Sequence, residues 1–168
     1  IIIDSKSGYS GAGRSVHKKY KDKNLYESLS AYGIGFHRHN PEIEQMIKRY
    51  SKLNAIFDFT PHLSPMFRGI LSTIYVDLNK IGSQTKLIKT LSNFYNKSTF
   101  VKIMSKDKLI STNDVINSNY CHISICKTKN KNRIIILSAI DNLIKGGAGQ
   151  AIQNMNIKYG FPINSGLK

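Results

Sequence analysis

The sequence is poor in cysteine, in acidic residues and in long apolar runs, and it has no tryptophan. Its two cysteines, Cys121 and Cys126, are too few for a disulfide framework. In an alternating strand they point to opposite faces, so they cannot bridge within that strand, and they fit a reducing cytoplasm. No apolar run reaches the roughly 18 residues of a membrane span. No signal peptide is visible, and no metal site is predicted.

The shortage of acidic residues leaves the chain strongly basic. Asp and Glu number 10 against 25 Lys and Arg, which gives a net charge of +15 and a pI near 9.9. Such a charge is typical of nucleic-acid-binding modules, and that class of function is one alternative. The lysines are scattered, however, with small clusters only at residues 18–19 and 127–131. We therefore attribute the charge to compositional drift towards Lys, Asn and Ile, and nucleic-acid binding is not the favoured hypothesis.

What the sequence contains predicts an α+β fold of one domain. Apolar alternation predicts strands, and apolar spacing of three and four residues predicts helices. The strands fall at residues 1–5, 26–32, 55–59, 70–78, 100–104, 120–127 and 133–139, and the helices at 41–52, 83–96 and 146–159. Pro61 and Pro65 predict an irregular turn, and residues 105–118 a polar connection. The predicted strands and helices do not alternate regularly as they do in βαβ units. We therefore expect a mixed, largely antiparallel sheet with helices on one face.

Two histidines just before a predicted helix form the first candidate site. Asn40 and Pro41 are typical of an N-cap followed by the first helical residue, which places Glu42 in the first turn. His37 and His39 then lie on an extended segment or loop, with their side chains on one face. Two imidazoles beside the positive end of a helix should have lowered pKa values, which suits a neutral base. A helix entry with two surface histidines is the plainer alternative.

A glycine-rich stretch near the start of the chain forms the second candidate site. Its sequence is Ser7-Gly8-Tyr9-Ser10-Gly11-Ala12-Gly13-Arg14. The glycines and serines let backbone N–H groups approach an anion closely, and the arginine adds positive charge. The spacing is neither that of a Walker loop nor that of a Rossmann opening. A plain flexible loop is the alternative interpretation.

Both stretches recur, with several others and in the same order, in one enzyme family. The further motifs are Tyr32-Gly33-Ile34-Gly35, His37-Arg38-His39, Pro41-Glu42-Ile43-Glu44-Gln45, Phe59-Thr60-Pro61-His62-Leu63, Arg68-Gly69-Ile70-Leu71, Ser118-Asn119-Tyr120-Cys121, Asp141-Asn142-Leu143-Ile144-Lys145-Gly146 and Gln153-Asn154-Met155-Asn156. Over nearly its whole length, and most weakly at residues 15–25 and 80–117, the chain resembles the C-terminal part of the N-acetyl-gamma-glutamyl-phosphate reductase family.

The resemblance implies an oxidoreductase of arginine biosynthesis. The family reduces N-acetyl-gamma-glutamyl phosphate to N-acetylglutamate semialdehyde with NADPH, through a thioester on a cysteine. Its second domain is α+β and similar to that of glyceraldehyde-phosphate and aspartate-semialdehyde dehydrogenases. A related reductase of an aminoadipyl phosphate in lysine biosynthesis is the alternative. The family also suggests a homodimer or homotetramer assembled through the sheet.

The resemblance further implies roles for individual residues. His37 matches the histidine that assists the catalytic cysteine, and His39 and Glu42 are supporting residues. The residues expected to meet NADP are Ser7, Gly8, Ser10, Gly11, Ala12, Gly13, Asn142, Lys145 and Gly146. The residues expected to bind the phosphate or carboxylates of the substrate are Arg14, Arg38 and Arg68.

The chain departs from the family pattern in what it lacks. Neither cysteine matches the motif of the catalytic cysteine, which in the family precedes the first residue of this chain, and the Rossmann domain is absent. The opening Ile1-Ile2-Ile3, without a methionine, predicts a buried strand of a protein that is longer. We therefore expect residues 1–145 to form a catalytic and oligomerisation domain, and residues 146–168 a helix and tail that pack on the Rossmann domain. The chain by itself is expected to be inactive.

Overall fold

One mixed β-sheet organises the computed structural model, which describes residues 1–11, 27–51, 56–78 and 83–168. The strands in these ranges are β1 (Ile2–Gly8), β2 (Ser30–Ala31), β3 (Asp58–Ser64), β4 (Ile70–Asp77), β5 (Val101–Ile103), β6 (Cys121–Lys127) and β7 (Arg133–Ile140). The α-helices in the same ranges are α1 (Asn40–Ser51), α2 (Gln84–Phe94) and α3 (Gly149–Tyr159). The strand order across the sheet is β2-β3-β1-β4-β7-β6-β5.

The sheet combines parallel and antiparallel pairs. β1 is parallel to β3 and β5 is parallel to β6, whereas the other neighbours are antiparallel. The mixed, largely antiparallel α+β sheet expected from the sequence is confirmed. The expectation that βαβ units are missing needs a correction. A parallel pair cannot be joined by a hairpin, and the connection from β1 to β3 contains α1 and the short strand β2.

β3 continues through Pro61, although the sequence predicted that the strand would end there in an irregular turn. That prediction is wrong. Pro61 is fully buried and lies opposite Ser5 of β1. Its carbonyl accepts a hydrogen bond from the Tyr32 N–H on the β2 side, so its missing N–H faces the same outer side. A proline is tolerated there because it removes no hydrogen bond between β3 and β1.

Among the described residues, a buried apolar cluster lies between β7 and the connection that precedes β6. Its members are Ile110, Val115 and Ala139, and partly buried Leu71, Met104, Tyr120 and Leu137 pack against them. Residues 105–118 were expected to be only a polar connection, and this expectation is wrong because they contribute two buried side chains. A 3₁₀ turn at Thr112–Asp114 holds these side chains in place through a capping box with Ser111.

The helix ends follow local capping chemistry. Ser83 caps α2 with its side chain, and Gly160 ends α3 in the left-handed region at φ +72°. α1 begins at Asn40, and the carbonyl of His39 accepts the helical hydrogen bond from Ile43. The expected N-cap at Asn40 is therefore displaced by one residue. None of the helices in the described ranges is long and apolar enough to cross a membrane.

The last helix begins later than the sequence predicted. Ile144–Ala148 form a π-helical turn that is broken at Gly147, where φ is −155° and ψ is −109°. α3 therefore starts at Gly149 and not at Gly146. Its small and apolar face is open to solvent: Ala151 is exposed, and Ile152 is 37% exposed. That open face fits the expectation that α3 packs against a partner.

The polypeptide backbone passes very close to a neighbouring side chain at Gly69. Its φ is +103°, and a Cβ atom there would lie 2.6 Å from the Cβ of Thr112. At Gly35, φ is +79° but no heavy atom lies within 4 Å of the same position. A side chain at Gly35 would therefore meet backbone strain alone, whereas a side chain at Gly69 would also meet a steric conflict.

We predict that Gly69→Ala lowers the free energy of unfolding more than Gly35→Ala does. Gly35→Ala should cost only the strain of a left-handed alanine, about 1–2 kcal/mol. Gly69→Ala should add about 1–3 kcal/mol of overpacking against Thr112. Urea denaturation of both variants measures the difference, and equal losses would contradict the steric explanation.

Candidate active site

A turn with two glycines places His37 in front of α1. Gly33 and Gly35 have φ values of +61° and +79°, and the Phe36 N–H donates to the Gly33 carbonyl. A Cβ atom at Gly33 would lie 3.1 Å from the His37 ring, so this glycine also leaves room for the imidazole. The expected extended segment is therefore a turn. It nevertheless brings the His37 and His39 rings together, with centroids 4.9 Å apart.

The His37 imidazole is lined by aromatic rings. Its centroid lies 5.2 Å from that of Phe59 on β3 and 5.5 Å from that of Tyr32, both in edge-to-face geometry. Burial lowers the pKa of His37, and the nearby charges of His39 and Arg38 lower it further. The neutral imidazole expected from the sequence is therefore supported at His37.

A backbone hydrogen bond orients this ring. The N–H of His39 donates to Nδ1 of His37 at 3.2 Å. Because Nδ1 is the acceptor, the proton of the neutral imidazole lies on Nε2. The free side of the ring therefore presents an N–H donor, whereas the sequence predicted a base.

The supporting residues of the histidine turn are more exposed. Arg38, His39 and Glu42 all lie on the surface, with Glu42 in the first turn of α1 as expected. In the described part of the chain, no hydrogen bond or ion pair joins Glu42 to His37 or His39. The structure thus brings the two histidines together and leaves Glu42 beside them without direct contact.

The glycine-rich stretch is described only to Gly11, so Ala12, Gly13 and Arg14 lie outside the described residues. The N–H groups of Gly8, Tyr9 and Ser10 donate to the carbonyls of residues 69, 66 and 67, respectively. These three N–H groups are therefore not available to an anion, which speaks against anion binding by the amides of residues 8–10. The cofactor contact expected for the stretch stays a prediction.

Asn142 joins this stretch to the rest of the fold. Its amide nitrogen lies 3.3 Å from the Gly8 carbonyl and 3.0 Å from the Ser10 hydroxyl, and its amide oxygen accepts from the Gly69 N–H at 2.8 Å. A Cβ atom at Gly8 would lie 2.6 Å from the Phe67 carbonyl oxygen, so the glycine is needed for close backbone packing.

Asp141, which sequence reasoning did not single out, is the most fully bonded carboxylate of the site. It is completely buried and accepts from the N–H groups of Leu143, Ile144 and Asn117. The fourth donor is Nη1 of Arg68, at 3.2 Å. Burial alone would raise the pKa of Asp141, but the four donors outweigh it and lower the pKa. We call Asp141, Asn142 and Arg68 the Asp141 clamp.

Lys145 lies in the π-helical turn and is turned towards the protein. Its Nζ donates to Oε1 of Gln153 at 2.8 Å, and the same oxygen accepts from Nδ2 of the buried Asn119 at 2.9 Å. Burial lowers the pKa of the Lys145 ammonium. Gly146 follows in the same turn, its N–H bonded to the Asp141 carbonyl. Gln153 and Asn119 both lie in motifs shared with the family, but the spacing of these motifs does not indicate that the two side chains are hydrogen-bonded.

The candidate residues thus fall into two groups at different ends of the sheet. Phe59, which contacts His37, pairs with Ile3, whereas Ser64 pairs with Gly8 beside the Asp141 clamp. Five residues of strand separate these two pairs, about 16 Å at the usual rise per residue. The turn that carries His37 and the end of β1 that Asn142 contacts therefore lie at opposite ends of the β1–β3 pair.

Partly buried Cys121 is a poor candidate for a nucleophile. Its Sγ lies 3.6 Å from the Ser138 hydroxyl, and burial raises the pKa of the thiol. A thiol reacts as the thiolate, so a raised pKa lowers its reactivity at neutral pH. Cys126 is also a free thiol. That neither cysteine is catalytic stays a prediction.

Comparisons with known proteins assign the domain. The family model for the semialdehyde dehydrogenase dimerisation domain matches residues 1–142. N-acetyl-gamma-glutamyl-phosphate reductases from Staphylococcus aureus and Halothermothrix orenii are each 46% identical to this chain over its whole length. The match covers 49% of each of these relatives, so the chain spans about half the length of the curated relatives it matches.

Solved structures of aspartate-semialdehyde dehydrogenases share the fold. The enzyme from Francisella tularensis has a TM-score of 0.68 and 12% identity, over 94% of this chain and 57% of that chain. Aspartate-semialdehyde dehydrogenase II from Vibrio cholerae has a TM-score of 0.63 and 12% identity, over 94% and 55%. At such low identity the likeness concerns the fold alone, and it confirms the expected similarity to this class of domain.

We predict that His37 titrates below the ordinary histidine value of 6.5. Phe59→Ala should raise its pKa most, because burial is the largest cause of the shift, and His39→Ala should raise it less while keeping the backbone donor to Nδ1. NMR titration of the His37 ring protons measures both changes. A larger rise in His39→Ala than in Phe59→Ala would show that charge, not burial, dominates.

The same shift has a consequence for stability. The folded protein binds the His37 proton less readily than the unfolded chain, so the unfolded state carries more bound protons between the two pKa values. The contribution of His37 to stability therefore decreases as the pH falls below 6.5 towards the lower pKa of the folded state.

Proposed function

The chain belongs to the semialdehyde dehydrogenase family, whose dimerisation-domain model covers residues 1–142, and we propose that it is the substrate-side domain of an N-acetyl-gamma-glutamyl-phosphate reductase of arginine biosynthesis. The 46% identity to two reductases of that name supports the choice of substrate. On this proposal, the nucleophilic cysteine and the nucleotide-binding fold belong to the half of the relatives that this chain does not span.

The chemistry proposed for the whole enzyme begins with acyl transfer. A cysteine thiolate attacks the carbonyl carbon of the acyl phosphate, a C–S bond forms, and the C–O bond to phosphate breaks so that phosphate leaves. The expected reductant is NADPH. Because the amides of residues 8–10 are already hydrogen-bonded, we propose that these amides do not hold its phosphates.

The observation that carries the proposal is the fixed, neutral imidazole of His37. With Nδ1 bonded to the His39 N–H, the ring offers its Nε2–H as a donor. Such a donor stabilises the negative charge that develops on the carbonyl oxygen during thiolate attack. To accept the thiol proton at Nε2, the ring would have to change tautomer and lose the bond from His39. We therefore propose that His37 acts first as a hydrogen-bond donor.

Arg38 is proposed to be the anion ligand of this group. It adjoins His37 in sequence, is exposed, and contributes to lowering the pKa of His37. A guanidinium binds phosphate oxygens in a bidentate manner, which suits the leaving phosphate. His39 and Glu42 remain supporting residues in the same proposal.

The terminal segment and the assembly complete the proposal. Residues 146–168, with the open face at Ala151 and Ile152, are proposed to pack on the nucleotide-binding domain, bringing Asn142, Lys145 and Gly146 towards the cofactor. Residues 1–145 are proposed to mediate assembly, and the name of the matched family model supports a dimer or a tetramer.

We predict that the chain of 168 residues alone does not reduce acyl phosphates with NADPH. The reason is that its two thiols are partly or largely buried and the thiol of Cys121 has a raised pKa. NADPH absorbance at 340 nm follows the reaction. A turnover near that of ordinary enzymes, about 10 per second, would refute the assignment of the nucleophile to another part of the protein.

The reductase that carries this chain tests His37. His37→Ala should lower kcat by about 10²- to 10³-fold, the usual effect of losing one oxyanion donor. His37→Gln should retain more activity than His37→Ala, because its amide N–H can still donate. Single-turnover measurements should assign the loss to thioester formation.

His62→Ala provides the matched control. His62 lies on β3 near Asp4, with Nδ1 3.1 Å from the carboxylate oxygen, and takes no part in the proposed reaction. We expect a kcat close to that of the wild type. If His37→Gln were as inactive as His37→Ala, the imidazole would act as a base and not as a donor.

A further inference from the structure

We propose that Arg68 and Asp141 form a binding site for a phosphate or carboxylate oxyanion of a reactant, in which Asp141 is the positioning residue and Arg68 the ligand. This inference rests on the proposed function only in naming the oxyanion as part of a reactant. It assigns Asp141 a role that the sequence motifs do not indicate.

The Asp141 carboxylate is fixed before any ligand arrives. It is fully buried, and each of its oxygens accepts two hydrogen bonds: one from the N–H groups of Leu143 and Ile144, the other from the Asn117 N–H and Arg68. Three of these four donors are backbone groups, which cannot rotate away. A carboxylate held in this way has little freedom, so it orients the guanidinium that it binds.

Arg68 uses only part of its donor set on this anchor. Its Nη1 donates to the side-chain oxygen of Asn117 at 3.0 Å and to Asp141 at 3.2 Å. Within the described residues, Nε and Nη2 have no hydrogen-bond partner, and the side chain is 29% exposed. Nε and Nη2 together form the edge of the guanidinium that binds a carboxylate or phosphate in a bidentate manner.

Arg133 shows the contrasting case in the same chain. Its Nε and Nη2 donate to the two carboxylate oxygens of Asp77 at 2.6 and 3.1 Å. Its bidentate edge is therefore occupied within the protein, at an exposed pair. Of these two arginines, Arg68 alone combines a buried anchor with a free bidentate edge, which is the arrangement that a ligand requires.

The backbone around Arg68 is held as firmly as its side chain. The next residue, Gly69, donates its N–H to Asn142 and accepts from the Gly8 N–H through its carbonyl. A site whose side chain and backbone are both fixed loses little conformational entropy when a ligand binds. The Asp141 clamp therefore prepares Arg68 for an anion.

The free edge of the guanidinium limits which ligand can bind, because the ligand must present two oxygens to Nε and Nη2. Such a group is found in the carboxylate of the substrate and in the phosphates of the cofactor, and the experiment distinguishes these sources.

The test measures binding of three probes to the full-length reductase by isothermal titration calorimetry: N-acetylglutamate, inorganic phosphate and NADP⁺. Arg68→Lys should weaken at least one of them by roughly ten- to hundredfold, the effect of losing a charged bidentate pair. Asp141→Asn should weaken binding of the same probe. The double variant should bind that probe no more weakly than the single variant with the lower affinity. Arg133→Lys should leave all three unchanged.

Which probe responds identifies the source: N-acetylglutamate indicates the substrate carboxylate, and NADP⁺ the cofactor phosphate. The Michaelis constant for the corresponding reactant should rise by a similar factor, while kcat stays within about twofold. If the ion pair were purely structural, its loss would lower the melting temperature without raising KM at constant kcat. The two roles are therefore separable.

If Asp141→Asn does not fold, Asn117→Gly takes its place in the binding measurements. Asn117 has a φ of +63°, which glycine adopts readily, so this variant removes one anchor of Arg68 without backbone strain. It should weaken the same probe by a smaller factor. Unchanged binding in Arg68→Lys, or a wild type that binds none of the probes, would overturn the inference. A wild type that binds a probe but has no reductase activity would instead refute the proposed function.

Discussion

A buried carboxylate is the constraint on which the arrangement of this sheet depends. An unpaired ion in the interior costs several kcal/mol, so Asp141 is tolerated only when all of its donors are in place. Those donors come from the π-helical turn after β7, from Asn117 before β6 and from Arg68 before β4. Its neighbour Asn142 adds the end of β1 to the same point. Segments that are far apart in sequence must therefore meet together, and the site residues at this end of the sheet are fixed as one unit.

The sequence predicted the elements whose causes are local. Alternating apolar residues indicated β4, β6 and β7, Ser83 indicated the start of α2, and Gly160 the end of α3. It failed where the cause is tertiary. Pro61 continues a strand because its missing N–H faces the outer side, and Val115 is buried because a capped turn packs it against β7. Neither partner is visible to a local pattern.

The candidate site shows the same division. The position of the two histidines before a helix could be predicted, because it follows from neighbours in the chain. The lowered pKa of His37 owes most to burial, which depends on tertiary contacts such as that with Phe59 on β3. The proton position on His37 depends on one backbone bond formed by the turn, and the occupied amides of the glycine-rich stretch depend on residues 66–69. The donors to Asp141 likewise come from residues 68, 117, 143 and 144, which no local pattern brings together.

The proline in β3 also bears on how copies of the molecule can meet. An exposed strand edge offers a row of N–H and C=O groups to which another chain can add by hydrogen bonding. In β3, alternate residues face outward; Leu63 is covered by β2, and Pro61 has no N–H to offer. Beyond β2, the outer edge of β3 thus lacks a continuous series of donors. Edge-to-edge addition, the route to β-aggregation, is therefore disfavoured on this side of the sheet.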